Sequence, residues 1–296
     1  MEQKVTILRR RKTGCPRMKV NRTGEMEYLT FSAFDQTEEV TCLVSTRLGG
    51  VSTGDCASLN FSYLRDTNQA AVDENFRRMA EVFGTQPDAF VCSDQTHTVN
   101  VRRVTEADRG KGVTRPRDYS DTDGLVTDVP GLILSTFYAD CVPLLFFDPV
   151  HRAVGCSHSG WRGTVGEMGK ATVEAMKKHF GSRPEEILAA IGPSICRDCY
   201  EVGEEVAAAF RGLFGEEAAE VLWEKGNGKY LLDLWKANEK VLLSAGIKRE
   251  HLSVTDICTC CNPQYLFSHR ASHGKRGNIG AFIMLKDETG TGQRSL

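Results

Sequence analysis

A chain of 296 residues that is 41% hydrophobic can bury a sizeable core, and a net charge of −2 gives it no electrostatic grip on nucleic acid or an anionic membrane. No window approaches the roughly 18 apolar residues of a membrane span, and the N-terminus lacks the apolar core of a secretory leader. The eleven cysteines, odd in number and scattered, are therefore expected as free thiols in a reducing cytoplasm, most of them small buried hydrophobes.

In chain order, residues 1–24 are basic and polar (Arg9, Arg10, Arg11, Lys12, Lys19, Arg22) and read as a solvated tail. Residues 25–60 alternate apolar and polar side chains, the pattern of one or two strands running into the turn Leu48-Gly49-Gly50-Val51-Ser52. The spacing of Val72, Phe76, Met79, Ala80 and Phe83, stopped by Gly84, predicts a helix over 72–83. Residues 90–97 read as a strand end entering a loop. The polar, Gly- and Arg-rich stretch 105–122 reads as a mobile loop able to act as a lid. Short strands follow at 125–127 and 132–137. The apolar run 142–147, closed by Asp148-Pro149, reads as a buried strand whose return partner is 152–156.

Past Trp161-Arg162-Gly163, one amphipathic helix is predicted over 165–180. Two more cover 204–214 and 232–245, with Trp223 and Trp235 in the core. Strands at 252–257 and 279–285 flank a polar loop at 267–277, in which His269 and His273 are solvated, and 287–296 form a polar tail. Alternation of strands and helices without strict βαβ repetition predicts an α+β fold, a single domain over 25–286 with mixed β-sheets flanked by helices.

The hairpin at 142–156 carries Cys141 and His158 to the same end of a sheet, and His97 is a third candidate ligand. Two imidazoles and a thiolate suit zinc and leave its fourth position open, as catalytic sites do. None of the compact zinc patterns is present: no HExxH, no HxE…PCxxC and no paired CxxC of the ribbon kind. Cys196-x-x-Cys199 and the group Cys258, Cys260, Cys261 supply enough thiolates for a structural zinc. Against that, adjacent Cys260 and Cys261 sit poorly on one tetrahedron, and no thioredoxin-like unit surrounds a redox pair. Arg47 beside Gly49-Gly50 is a candidate phosphate fork. Arg162 and the backbone N–H groups of the helix start make an anion-friendly corner beside His158. Asp140 is the nearest carboxylate in sequence to move a proton, although strand alternation turns it away from Cys141. Asp123, before Gly124, reads as turn chemistry.

These blocks resemble one family. Gln95-Thr96-His97, the run from Asp123-Gly124-Leu125 to Ala139-Asp140-Cys141-Val142-Pro143, and His158-Ser159-Gly160-Trp161-Arg162-Gly163 are similar to motifs of the multicopper polyphenol oxidase or laccase-domain proteins, now regarded as zinc-dependent purine nucleoside enzymes. Thr46 to Ser52 with Ser58-Leu59-Asn60, Ile191 to Cys196 with Tyr200-Glu201-Val202, and Phe267-Ser268-His269-Arg270 extend the likeness over roughly 25–286. It departs at Arg276-Gly277-Asn278-Ile279, which lacks a Gly-Arg pairing, and at Cys156-Ser157, which replace smaller surroundings of His158.

The resemblance implies a four-layer α/β/β/α arrangement and zinc on His97, Cys141 and His158. It implies deamination of adenosine to inosine by a metal-activated water, with Asp140, Cys141 and His158 as the catalytic set. It also implies phosphorolysis of adenosine, inosine, guanosine and methylthioadenosine to base and ribose 1-phosphate, with inorganic phosphate as co-substrate. Arg47 and Arg162 would then face phosphate, Ser45, Asn60 and Gln95 would contact substrate, and Trp161 would stack on the purine. Such a protein takes small-molecule nucleosides, neither nucleic acid nor membrane, as a cytoplasmic monomer or weak homodimer.

Three rivals stand beside this expectation. A copper polyphenol oxidase needs several His-rich sites, which seven scattered histidines poorly furnish. A cysteine-type hydrolase acting on peptidoglycan precursors would use Cys141 as nucleophile and His158 as base. A binding protein would hold a nucleoside and release no product.

Overall fold

The computed structural model describes residues 6–10 and 18–287. The expectations for 1–5, 11–17 and 288–296 lie outside the described residues. In chain order the strands are β1 (Met18–Thr23), β2 (Met26–Phe31), β3 (Val40–Ser45), β4 (Phe90–Cys92), β5 (Val101–Arg103) and β6 (Gly124–Thr127). There follow β7 (Ile133–Tyr138), β8 (Val142–Asp148), β9 (Ala153–Ser159), β10 (Leu188–Ile191) and β11 (Glu201–Gly203). The last four are β12 (Leu222–Gly226), β13 (Lys229–Leu232), β14 (Leu252–Val254) and β15 (Ile279–Leu285). The helices are α1 (Gln69–Val82), α2 (Trp161–Val165), α3 (Met168–Phe180), α4 (Glu204–Phe214) and α5 (Leu234–Ser244).

One sheet runs in the order β1-β2-β3-β15-β7-β4, a second β14-β10-β8-β9-β6-β5, and a small third β11-β13-β12. Both large sheets are mixed, with parallel pairs at β4–β7, β5–β6 and β10–β14. Side-chain alternation along β8 and β15 builds the layers. Leu145 and Phe147 of β8 meet Ala281, Ile283 and Leu285 of β15 in a core between the two sheets. Leu144 and Phe146 point the other way, to Val173 and Met176 of α3 and Leu242 of α5. Phe282 and Met284 of β15 point outward onto Val72, Phe76 and Met79 of α1. The result is the four-layer α/β/β/α arrangement, a mixed α+β single domain.

Three local expectations need correction. Met18–Thr23, read as part of a solvated tail, pairs along its whole length with β2. Only Met18 of this edge strand is buried, so its sequence looks like a tail. The expected helix over 165–180 is two helices. Gly166 ends α2 where an added Cβ would meet Val99 Cγ1 at 2.7 Å, and Glu167, at φ 58°, turns the chain into α3. Finally, the stretch 105–122 is tied down. Buried Asp108 caps the turn from Thr105 and binds Arg102 (3.0 Å) and Lys111 (2.8 Å), and Lys111 reaches on to Asp118. Among the described residues no helix is long and apolar enough to cross a membrane.

Phe282 is the keystone of the outer core, with its ring 5.1 Å from that of Phe61 and 5.6 Å from that of Phe90, both edge-on. Phe282→Ala is expected to cost about 3–5 kcal/mol of unfolding free energy, read from denaturant titration. A cost under about 1 kcal/mol would show that α1 is not held through this ring.

Candidate metal centre

His158 is the sixth residue of β9 and lies opposite Pro143 of β8, with Ser159 opposite Val142. That register leaves Cys141, one residue before β8, beside Gly160. A Cβ on Gly160 would stand 3.0 Å from Cys141 Sγ and 3.1 Å from His97 Cδ2, so glycine is what lets these two side chains close on each other. The ligand atoms of His97, Cys141 and His158 lie within 4.8 Å of one another. Cys141 Sγ is 4.0 Å from His97 Nε2, and the two imidazoles meet edge-on with centroids 4.9 Å apart. Donors around a tetrahedral zinc are roughly 3.3–3.6 Å apart. The triad therefore needs only a small contraction to hold an ion.

Asp123 assembles this triad. Its fully buried carboxylate accepts the backbone N–H groups of Thr96 (3.0 Å), His97 (3.1 Å) and Thr98 (3.0 Å), and the Nδ1–H of His158 (2.8 Å). The His97 loop and the His158 ring are thus fixed by one group. With its proton donated from Nδ1, His158 turns the Nε2 lone pair to the centre. The sequence reading of Asp123 as turn chemistry missed this. The signal available was that Asp123-Gly124-Leu125 is one of the blocks carrying the family resemblance.

The centre sets a thiolate beside an imidazolium, and a metal ion would displace the Nε2 proton of His158. Burial opposes a Cys141 thiolate, but the His158 imidazolium and hydrogen bonds from both histidines outweigh it, leaving the thiol lowered to about 6. Burial likewise opposes the His158 imidazolium, yet Cys141 and Asp123 hold it up to about 9. Against its own burial, Asp123 is kept below the usual carboxylate range by His158 and the backbone N–H groups. A thiolate and a carboxylate-backed imidazole, facing a second imidazole, are a fitting donor set for zinc.

Asp140 takes φ 94°, which breaks strand alternation between it and Cys141. Its oxygens accept Thr259 Oγ1–H (2.6 Å) and Arg270 N–H (2.7 Å). With Trp161 and Arg162 it lines a small cavity of about 80 Å³ behind Cys141. Small-molecule sites run from roughly 300 to 1,000 Å³, so this one does not take a purine. Arg162 lies over the Trp161 ring at 4.2 Å, and α2 has only five residues.

On its other side the triad lines a cavity of about 780 Å³, together with Phe76, Phe137, Arg276 and Asn278. Gln95 also lines it, but its amide is committed to both backbone groups of Phe137. Three expected substrate contacts stand apart from the cavity lining. Ser45 accepts the N–H of Gly280, Asn60 bridges Ser62 and Asn278, and the Arg47 guanidinium donates to Ala57 O and Pro263 O while lying over Phe267. Arg115, Arg117 and Arg276 line the cavity; Arg115 is held by Arg109 O and Arg117 by Ser93 O and Asp94, whereas Arg276 donates through Nη1 to Asn278 Oδ1 and keeps a buried Nε without a partner among the described residues. The sequence marked Arg276 only as part of a departure from the family pattern, and its polar loop gave no sign that it reaches a cavity.

Fold and site together define a four-layer α+β protein with a two-histidine, one-cysteine centre lining a ligand-sized cavity. Residues 41–286 match the model of the family described as multi-copper polyphenol oxidoreductase laccase, and the chain belongs to that family. The purine nucleoside phosphorylase YlmD of Bacillus subtilis is 38% identical over 256 residues, covering 84% of this chain and 90% of that protein. Adenosine deaminase RL5, from an unknown prokaryotic organism, is 36% identical over 193 residues, 65% of this chain and 73% of its own. The crystal structure of YlmD from Geobacillus stearothermophilus superposes with a TM-score of 0.83 at 33% identity, covering 90% of this chain and 99% of that one.

Replacing Asp123 by Ala removes the acceptor shared by His158 and the His97 loop. Metal affinity, measured by competition with a chromogenic chelator, is expected to fall about 10–100-fold. Unchanged affinity would refute the orienting role of this carboxylate.

Proposed function

We propose that this chain is a zinc-dependent purine nucleoside enzyme that deaminates adenosine to inosine and phosphorolyses adenosine, inosine, guanosine and methylthioadenosine. One observation carries the reading. His97, Cys141 and His158 converge in the lining of a nucleoside-sized cavity, in a chain 36–38% identical to relatives named adenosine deaminase and purine nucleoside phosphorylase. Zinc held by His97 Nε2, Cys141 Sγ and His158 Nε2 supplies, when bound, a water whose pKa is brought towards about 7.

The chain's own residues do the rest. Deamination adds the oxygen of water at C6 and releases ammonia, so a proton must travel from that oxygen to the departing nitrogen. Asp140 is the carrier in this reading, acting from the small cavity behind Cys141 that it lines. Each of its oxygens accepts one hydrogen bond and keeps a second lone pair. In phosphorolysis a phosphate oxygen bonds to C1′ as the bond from C1′ to N9 breaks and the base leaves with the electron pair. Arg276 lines the cavity, which Arg47 does not, and supplies the positive charge for that phosphate. Two histidines and one cysteine hold a single ion. The other two groups among the described residues that can hold one contain a single histidine between them, so the reading uses zinc rather than clustered copper.

A second reading has its own support: Cys141, lowered to about 6 beside His158, is also the thiolate of a cysteine hydrolase. The two uses of that sulfur exclude each other. Cys141→Ala is expected to lose the zinc held with His97 and His158 and, with it, turnover of adenosine, with and without phosphate. Asp140→Asn is expected to keep zinc and lose about 10²–10⁴-fold in kcat for deamination. Failure of zinc-loaded protein to turn over adenosine or inosine would end the nucleoside reading. Metal-free activity abolished by alkylation of Cys141 would select the hydrolase.

A further inference from the structure

Strands β10 and β14 are parallel neighbours, with Ile191 opposite Val254, so both chains leave the sheet at the same edge. They stay together beyond it: Thr255 N–H donates to Ile191 O, Ser194 bridges to Cys258, and Thr259 N–H donates to Ser194 O. Each then turns through a Cys-x-x-Cys, Cys196-Arg197-Asp198-Cys199 on one chain and Cys258-Thr259-Cys260-Cys261 on the other. The sequence reading found no paired CxxC because it set Cys260 against Cys261. In the fold Cys258 and Cys261 are the pair, and Cys260 stands outside the group.

The four sulfurs of Cys196, Cys199, Cys258 and Cys261 lie within 4.8 Å of one another. Cys199 Sγ is 3.4 Å and Cys196 Sγ 4.0 Å from Cys261 Sγ. A tetrahedron with metal–sulfur bonds of about 2.3 Å has edges of about 3.8 Å, whereas a disulfide needs sulfurs about 2.05 Å apart. All four cysteines are free. Cys258 is fully buried and Cys196 nearly so, with Cys199 and Cys261 partly exposed, and four sulfur donors fill a tetrahedron and leave no open position. A second observation points to negative charge there: Arg10 sets Nη2 3.1 Å from Cys261 Sγ. Four thiolates around a divalent ion leave two negative charges for such a cation to face.

We propose that Cys196, Cys199, Cys258 and Cys261 bind one zinc ion as a closed structural site, separate from the His97 centre. It clamps the two loops that hold Asp140. Ile195 N–H, from the first loop, donates to Asp140 O (3.0 Å), and Thr259 Oγ1, from the second, donates to its carboxylate. Arg270, whose backbone N–H completes the hold on that carboxylate, donates through Nη1 to Cys199 O. The ion thereby braces the backbone immediately before Cys141. The site stands whatever reaction runs at His97.

The test is metal analysis of protein purified under reducing conditions, with zinc X-ray absorption. Wild type is expected to carry about two zinc ions per chain. Cys141→Ala is expected to keep one, with four sulfur neighbours at about 2.3 Å. A Cys141→Ala protein that is free of zinc, or whose zinc has fewer sulfurs, overturns the site, as does iron in place of zinc. Disulfides among these four cysteines in mass spectra of alkylated protein overturn it too. Cys261→Ser is expected to drop to one zinc, and retention of two would count against the assignment. If that variant does not fold, the Cys141→Ala spectrum decides.

Discussion

Every residue of β8 and β9 is buried, because the sheet they centre is covered on one face by its partner sheet and on the other by α3 and α5. A register slip of one residue would exchange Leu144 and Phe146 with Leu145 and Phe147, and send each pair into a core shaped for the other. This double burial pins Pro143 opposite His158. Cys141 and Gly160 follow as the next residues beyond the pinned register, so the approach of thiol and imidazole is inherited from packing.

His97 comes from the other sheet's side of the molecule and needs a separate anchor. Asp123 provides it, since it leads directly into β6, the strand hydrogen-bonded to β9. Its carboxylate reaches three successive backbone N–H groups of the His97 loop. The cost of the arrangement is visible in the backbone: His97 at φ 67° and Asp140 at φ 94° both occupy the left-handed region, worth on the order of 1–3 kcal/mol each for a residue with a side chain. Both are held by several hydrogen bonds, His97 through Asp123 and Asp140 through Thr259, Ile195 and Arg270. Strain of this kind persists where the surroundings over-determine it, and here it brackets the centre.

The arginines show how a motif can be recognised and its chemistry still misplaced. Arg47 sits in a motif of the family and beside glycines, yet Gly49 and Gly50 serve close backbone approach, with an added Cβ meeting the chain at Glu25–Met26 and Ser58–Leu59. The guanidinium is drawn to carbonyls it must satisfy and to the face of Phe267. Arg276, in a loop with no helical or strand period, is brought to the cavity by its place just before β15.

The sequence by itself determined the elements whose period is strong: α1, α4, the β8–β9 hairpin and β15 were legible because their side chains alternate or recur against a core. It also offered His97, Cys141 and His158 as a candidate donor set, on their identities and the family resemblance rather than on any zinc spacing. It did not reveal β1, the break at Gly166-Glu167, or β10 to β13, which are too short or too polar for periodicity to register. Nor could it reveal the roles of Asp123 and Arg276 or the pairing of Cys258 with Cys261. Each of these rests on which backbone N–H, sulfur or cavity wall lies within a few ångströms across a long separation in sequence. Only the packing of the two sheets decides that, because burial forces every polar group to find its partner wherever the fold has placed one.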